Sequence, residues 1–348
     1  GTGEIVYRLR PEMSTRFGVA FSMVIPLLID TDPGIDDALA LLAAFASSEV
    51  SVEAITTVAG NVPVERCTAN VFRILAVVKP SRAPIVAQGA SKPLARPLVS
   101  AGHVHGEDGL GNLNQFRNTD GSPRYPPVEA LPSPVAGPDL IVESAARFAG
   151  ELVIVALGPL TNLALALQRD RNPMASVRRV VVMGGAVASP GNVTPVAEFN
   201  FYVDPEAAAQ VLKSGLPIEL IPLDVTRRAV LSRSVLESRL SARPGPRARF
   251  ISDVTLKGFS FGAEVREHGL TLHDPLALAV ALDPSLVSFE ALSVEVECEG
   301  SLTRGMTVAD QRQLPAQHKR PPNCRVAVSV DAERFLSFFL ERLCPASS

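Results

Sequence analysis

Apolar residues recur along the chain in short runs rather than in regular alternation with polar ones. Residues 24–29, 52–58, 84–87, 152–157, 180–183 and 218–223 are rich in β-branched and aliphatic side chains, and each run stops at a small or polar residue. A strand without polar alternation is covered on both faces, so these runs predict a mostly parallel sheet between helix layers. Residues 324–330 read as a further strand. Helical patterns fall between the runs: over 38–45, over 140–149, from Pro205 onward, and through Phe259 and Phe261 to Glu267. A last helix follows Asp331 as its cap, with Phe335, Leu336, Phe339, Leu340 and Leu343 on one apolar stripe. Ligands of open parallel sheets bind beyond the carboxyl ends of the strands. The residues closing the runs, Asp30, Asn61, Asn162, Gly184 and Asp224 among them, are therefore expected to face one crevice.

Two stretches interrupt this grammar. Residues 101–111 are glycine-punctuated and polar, as an active-site loop would be. Residues 123–138 contain six prolines, which exclude regular structure and invite the reading of an interdomain linker. The same strand-helix pattern resumes at Asp139, so a surface loop within one domain is the better reading. Pro244 to Phe250 reads as another turn.

Composition narrows the partners. Across 348 residues, 47% are apolar and 20% charged, which supplies ample core for a globular protein. A net charge of −3 without a long basic run argues against nucleic acid, and no run reaches the ~18 apolar residues of a membrane span. The four cysteines are scattered and show no metal-ligand spacing, so they read as reduced thiols of a cytoplasmic protein. Residues 1–22 imitate a signal peptide only crudely, since no small-residue cleavage site precedes Asp30. They are read as an extension, with the working domain over 23–343 and a short tail over 344–348.

The chemistry concentrates in Ile29-Asp30-Thr31-Asp32-Pro33-Gly34-Ile35-Asp36-Asp37, where four carboxylates occupy eight residues at a strand-to-helix turn. Crowded carboxylates raise one another's pKa unless a cation lies among them. Helix capping alone accounts for Asp36 and Asp37 but not for Asp30 and Asp32. The donors are all hard oxygen, which favours Ca2+ or Mg2+ over zinc or copper. An EF-hand starting at Asp30 fails, because Ile35 and Leu41 stand where glycine and glutamate are required. A strand-end Asp-x-Asp also fits an aspartate-dependent Mg2+ phosphatase. Farther on, Asn192, Glu198 and Asn200 place three hydrogen-bonding side chains within nine residues, a set that suits a polyhydroxylated ligand or an ordinary polar loop. Taken alone, Asp274 is most simply a helix cap and His273 a packed or surface histidine.

Together these blocks resemble the nucleoside hydrolases of the inosine-uridine preferring type. The resemblance starts with Asp30-Thr31-Asp32-Pro33-Gly34 and Asp36-Asp37, and continues through Thr56-Thr57-Val58-Ala59-Gly60-Asn61, Val104-His105-Gly106 and Gly158-Pro159-Leu160-Thr161-Asn162. Met183-Gly184-Gly185, Pro195-Val196-Ala197-Glu198-Phe199-Asn200, His273-Asp274-Pro275 and the stretch from Thr303 to Asp310 complete it in order. It implies a single α/β domain with a Rossmann-like sheet, a bound Ca2+, hydrolysis of the N-glycosidic bond of ribonucleosides, and a homodimer or homotetramer. Carried over by position, it implies Asp32, Asp37, Asp274 and the carbonyl of Leu157 as calcium ligands, with Asp30 supporting them from behind. Asp36 would take a proton from a calcium-held water. Asn61, Asn192, Glu198 and Asn200 would grip the ribose, and His273 or His105 would assist the departing base.

Departures from the family pattern bear on the base. The chain has no tryptophan, which disfavours the purine-specific members expected to sandwich the base between indoles. No tyrosine closely precedes His273, where some pyrimidine-preferring relatives place one. Phe259 or Phe261 could line the base pocket instead. The expected preference is for uridine or a broad range. The competing readings are the Mg2+ phosphatase, which calls for a downstream lysine motif, and a catalytically silent protein that binds calcium and nucleoside.

Overall fold

The computed structural model describes residues 24–318 and 320–344. The extension expected over residues 1–22 lies outside the described residues, as does the tail beyond Cys344. Chain order begins β1 (Ile25–Thr31), α1 (Ile35–Phe45), β2 (Val50–Thr57), α2 (Val64–Val78) and β3 (Ile85–Gln88), followed by the single turn α3 (Gly102–His105). It continues with α4 (Gly137–Arg147), β4 (Val153–Ala156), α5 (Thr161–Arg169), α6 (Arg171–Met174), β5 (Arg179–Met183), α7 (Phe199–Val203), α8 (Pro205–Leu212) and β6 (Ile218–Ile221). The last third holds α9 (Leu223–Thr226), β7 (Val230–Leu231), α10 (Arg233–Ser241), α11 (Pro246–Glu264), β8 (Leu270–Thr271), α12 (His273–Leu282), β9 (Val287–Leu292), β10 (Val294–Val296), β11 (Thr307–Ala309), β12 (Cys324–Val330) and α13 (Ala332–Leu343).

Eight strands form one sheet in the order β3-β2-β1-β4-β5-β6-β12-β9. Every pairing in it is parallel except the last, where β9 runs antiparallel to β12. All six expected runs and the 324–330 strand lie in this sheet, and its strands come from residues 25 to 330, so 123–136 is a surface connection within one α/β layer system, with Gly137 and Pro138 already in α4. The inner strands are covered on both faces: β4 and β6 have no exposed residue, and Glu219 within β6 is paired with Arg179 and Arg325. One face packs on α1, α12 and α13 and holds Leu39, Leu276, Phe335 and Phe339. The other packs on α4, α5 and α8 and holds Leu140, Leu163 and Val211.

The strand order reverses direction between β1 and β4. Chains leaving these two strands turn to opposite faces, which opens a crevice at their carboxyl ends. Asp30 sits at that end of β1, and the N–H of Leu157, just past β4, donates to its carbonyl at 2.8 Å.

Some boundaries differ from those expected. The stretch carrying Glu198 and Asn200 is not an open loop, because α7 begins there with Glu198 as its N-cap. The helix expected after a turn ending near Phe250 already starts at Pro246, where proline's missing N–H costs nothing, and it stops at Glu264. Asp331 caps α13 as expected, its carboxylate accepting from the Arg334 N–H.

Candidate active site

The turn from β1 into α1 sets the site. Asp37, in the first turn of α1, accepts from the Thr31 hydroxyl and from the Gly34 N–H at 2.8 Å. Asp32 accepts the Asn61 N–H at 2.7 Å, which ties the end of β1 to the loop after β2. The Asn61 side chain returns to the Asp32 carbonyl at 3.2 Å. Asp30 lies deeper and is fully buried: its Oδ1 accepts from Thr56 at 2.6 Å and from Asn162 at 2.7 Å, while Oδ2 has no partner.

Asp274, in the first turn of α12, enters from the other side. It is not the helix cap that its position suggests. Leu272 holds the N-cap place, and Asp274 is turned inward and buried. Oxygens of Asp36, Asp37 and Asp274 all lie within 4.8 Å of one another. Burial and the charges of Asp36, Asp37 and Asp32 push the Asp274 carboxyl well above the usual carboxylate range. Asp32 is raised in the same way, by burial and by Asp37. Asp36 is pushed up to about 6 by burial and Asp37, against the opposing pull of His273. Such a group is stable either with shared protons or around a cation. Its donors are carboxylates and nearby carbonyls, so it can hold a hard divalent ion.

Above the carboxylates opens a cavity of about 370 Å³. Asp36, Asp274, Asn61, Asn192, Glu198 and Asn200 all border it, as do His105 and His273. Asp32, Asp37 and Asp30 stand behind that wall. Glu198 is nearly committed, since its oxygens accept from the N–H groups of Asn200, Phe201 and Gly185 at 2.8, 3.1 and 2.9 Å. One of its four lone-pair sites is left for a ligand hydroxyl. The Asn200 amide donates to the Leu157 carbonyl at 2.7 Å and to Met183 O at 3.2 Å, so its own carbonyl is free to face the cavity. The Leu157 carbonyl keeps a second lone pair. Asn192 is exposed at the rim, its Oδ1 accepting from the Phe199 N–H at 2.9 Å.

Both histidines are fixed through Nδ1. His105 Nδ1 accepts the Ile35 N–H at 3.1 Å, so the neutral ring carries its hydrogen on Nε2. Burial lowers the His105 pKa to about 4 and also lowers that of His273. His273 Nδ1 pairs with the Thr226 hydroxyl at 2.8 Å. Of the two candidate phenylalanines, Phe261 borders the cavity and Phe259 packs on the core.

The profile of the inosine-uridine preferring nucleoside hydrolases matches residues 27–337. The chain belongs to that family. A nucleoside hydrolase named pyrimidine-specific ribonucleoside hydrolase RihA, from Salmonella typhimurium, is 40% identical over 327 residues, covering 92% of this chain and 99% of the relative. Among solved structures, a plant nucleoside hydrolase, PpNRh1, superposes with a TM-score of 0.83 at 33% identity, over 92% of this chain and 99% of that one. A purine-preferring ribonucleoside hydrolase from Gardnerella vaginalis gives a TM-score of 0.83 at 31% identity, over 92% and 98%. This nucleoside hydrolase is therefore an enzyme that hydrolyses ribonucleosides to ribose and free base, and the phosphatase and silent-binder readings fall.

Sequence reasoning missed the residues that hold the site in place. Asp224 accepts the N–H groups of Val187 and Ala188 at 2.9 and 2.7 Å, and Arg227 donates to the carbonyls of Pro190 and Gly191, each at 2.7 Å. The loop bearing Asn192 is thereby tied to α9, which also supplies Thr226 to His273. Asp224 stood out as a strand-end residue, but nothing local marked Thr226 or Arg227.

Proposed function

We propose that this enzyme hydrolyses pyrimidine ribonucleosides with Ca2+ held by Asp32, Asp37, Asp274 and the Leu157 carbonyl, and with Asp36 as general base. The observation that carries the reading is the convergence of Asp36, Asp37 and Asp274, buried and within 4.8 Å, at the floor of a cavity walled by amides. An all-oxygen donor set of this size suits calcium better than softer metals. When bound, the ion supplies positive charge that gathers a water molecule and the ribose diol.

The residues do the rest. Asn61, Asn192, Glu198 and Asn200 orient the ribose so that attack on its anomeric carbon follows one geometry, an effect worth on the order of 7 kcal/mol in favourable cases. Asp36 belongs to the carboxylate cluster and also lines the cavity, and takes the proton of the attacking water. Breaking the ribosyl-nitrogen bond makes the sugar oxocarbenium-like, and the surrounding carboxylates and amide oxygens favour that charge. The base leaves with electron density on nitrogen, where His105 Nε2–H and His273 can donate hydrogen bonds. Asp30 supports the turn from below through Thr56 and Asn162.

The pyrimidine preference is supported by the 40% identity to the relative named pyrimidine-specific and by the absence of tryptophan. Among the described residues no helix is long and apolar enough to cross a membrane, and the four cysteines are free. A cytoplasmic setting is consistent with both.

The test is a panel of uridine, cytidine, inosine and adenosine assayed for free ribose, with and without a strong calcium chelator. Release should be fastest from the pyrimidine nucleosides, lost on chelation and restored by calcium. Asp36→Asn should keep the metal while kcat falls about 10²–10⁴-fold. If Asp36→Asn instead sheds the ion, and Asp32→Asn retains it but loses turnover, the proton-accepting role belongs to Asp32.

A further inference from the structure

The cavity has two chemically distinct ends. Carboxylates and amides gather at the ribose end. The opposite wall, from residues 99–105 and the end of α11, is largely apolar and aromatic, with Phe261 edge-on to His103 at 6.3 Å and 73°. Beside Ser100 and the imidazoles of His103 and His105, this side carries a further polar pair: the Thr271 hydroxyl donates to Glu267 Oε2 at 2.9 Å, and both residues border the cavity. No step described above uses this pair.

The pair is built in, although Glu267 is exposed. Past α11 the chain turns through Arg266 in the left-handed region at φ 63°, and the Glu267 N–H closes onto the Gly262 carbonyl at 2.7 Å. Thr271 lies in β8, paired with Val230 of β7. A threonine hydroxyl has one hydrogen, and here it is spent on the carboxylate. The pair therefore offers only acceptors to the cavity, and no hydrogen bond reaches Glu267 Oε1 among the described residues.

Nucleobases differ in the edge they present. Cytosine and adenine carry an exocyclic amine with two N–H donors where uracil and hypoxanthine carry a carbonyl oxygen. An acceptor-only pair accepts the amine and repels the carbonyl. We propose that Glu267, held by Thr271, is a specificity-determining residue that selects ribonucleosides whose base bears an exocyclic amine, cytidine ahead of uridine. This rests on the ribonucleoside hydrolysis described above and deepens its pyrimidine preference.

The experiment measures kcat/KM for cytidine and uridine, by ribose release, in the calcium-loaded wild type, Glu267→Gln and Thr271→Val. The wild-type cytidine-to-uridine ratio should exceed one. Glu267→Gln should lower that ratio about tenfold, because an amide N–H can donate to the uracil carbonyl; tenfold corresponds to about 1.4 kcal/mol. Thr271→Val, which removes the hydroxyl at nearly constant volume, should lower it in the same direction. A merely structural disturbance would depress both substrates and leave the ratio unmoved. An unmoved ratio in Glu267→Gln, or a wild type that favours uridine, overturns the inference while the hydrolase reading stands. A wild type that releases no ribose from any nucleoside refutes the hydrolase reading, and this inference with it.

Discussion

A methyl group added to Gly60 would meet Asp32 Oδ2 at 2.1 Å, and one added to Gly158 would meet Oδ1 at 2.6 Å. Two loops thus approach the Asp32 carboxylate with bare backbone. Gly60→Ala is expected to displace Asp32 and weaken calcium binding at least tenfold, read by calorimetric titration, while circular dichroism stays native. The titration behaviour of the cluster gives a second expectation. Asp30 is raised to about 7 and Asp36 to about 6, chiefly by burial, against an ordinary value of 3.8. A carboxyl raised by folding binds its proton more tightly in the native state, so the stability it contributes is present below about 4 and lost as pH rises through 6 to 7. Buried His105, lowered to about 4 from 6.5, works in the opposite sense, but only below about 6.5. The calcium-free enzyme should therefore lose thermal stability as pH rises above about 6.5, by melting in chelator. Calcium, which favours the ionised carboxylates, should flatten that slope.

Short elements carry much of the positioning, and they are the part least visible in the sequence. The sheet strands were legible because burial on both faces leaves largely apolar runs. β9 was not, since its antiparallel edge position exposes Ser288, Glu290 and Ala291 and breaks the run. α7 and α9 span five and four residues, too few for a helical period to register. Their only local signals are terminal, such as Glu198 accepting the N–H groups at the start of α7. Within the site, Asp30, Asp32, Asp36 and Asp37 announce themselves by crowding. Asp274 reads locally as a cap, and only the family resemblance joined it to them. Arg227 should show what α9 does. Arg227→Ala frees two carbonyls next to Asn192 and is expected to raise KM for nucleosides severalfold with a smaller change in kcat. Arg227→Lys should restore part of the loss, which a general destabilisation would not allow.

At the scale of the whole molecule, the parallel strands β1, β2, β4 and β5 bring their carboxyl-end loops to the same crevice, and α1 and α12 each lend a carboxylate from the first turn. A bound ion should therefore clamp the two helices. At calcium about 100-fold above its dissociation constant, linkage predicts roughly 2.7 kcal/mol of added stability. For a chain of 348 residues that is a rise of about 4 °C in Tm on adding calcium to chelated enzyme. The homodimer or homotetramer that the family resemblance implies is tested by light scattering of the same two samples.

Asp37 and Asp274 are far apart in the chain's order of synthesis. While the ribosome is still making the middle strands, the emerging polypeptide has its first aspartates but not the one from α12. α13, which packs over the same side as α1 and α12, arrives later still. The cation that this cluster is proposed to hold can thus be captured only after α12 has been made, and a product truncated before residue 273 would carry most of the sheet yet lack Asp274.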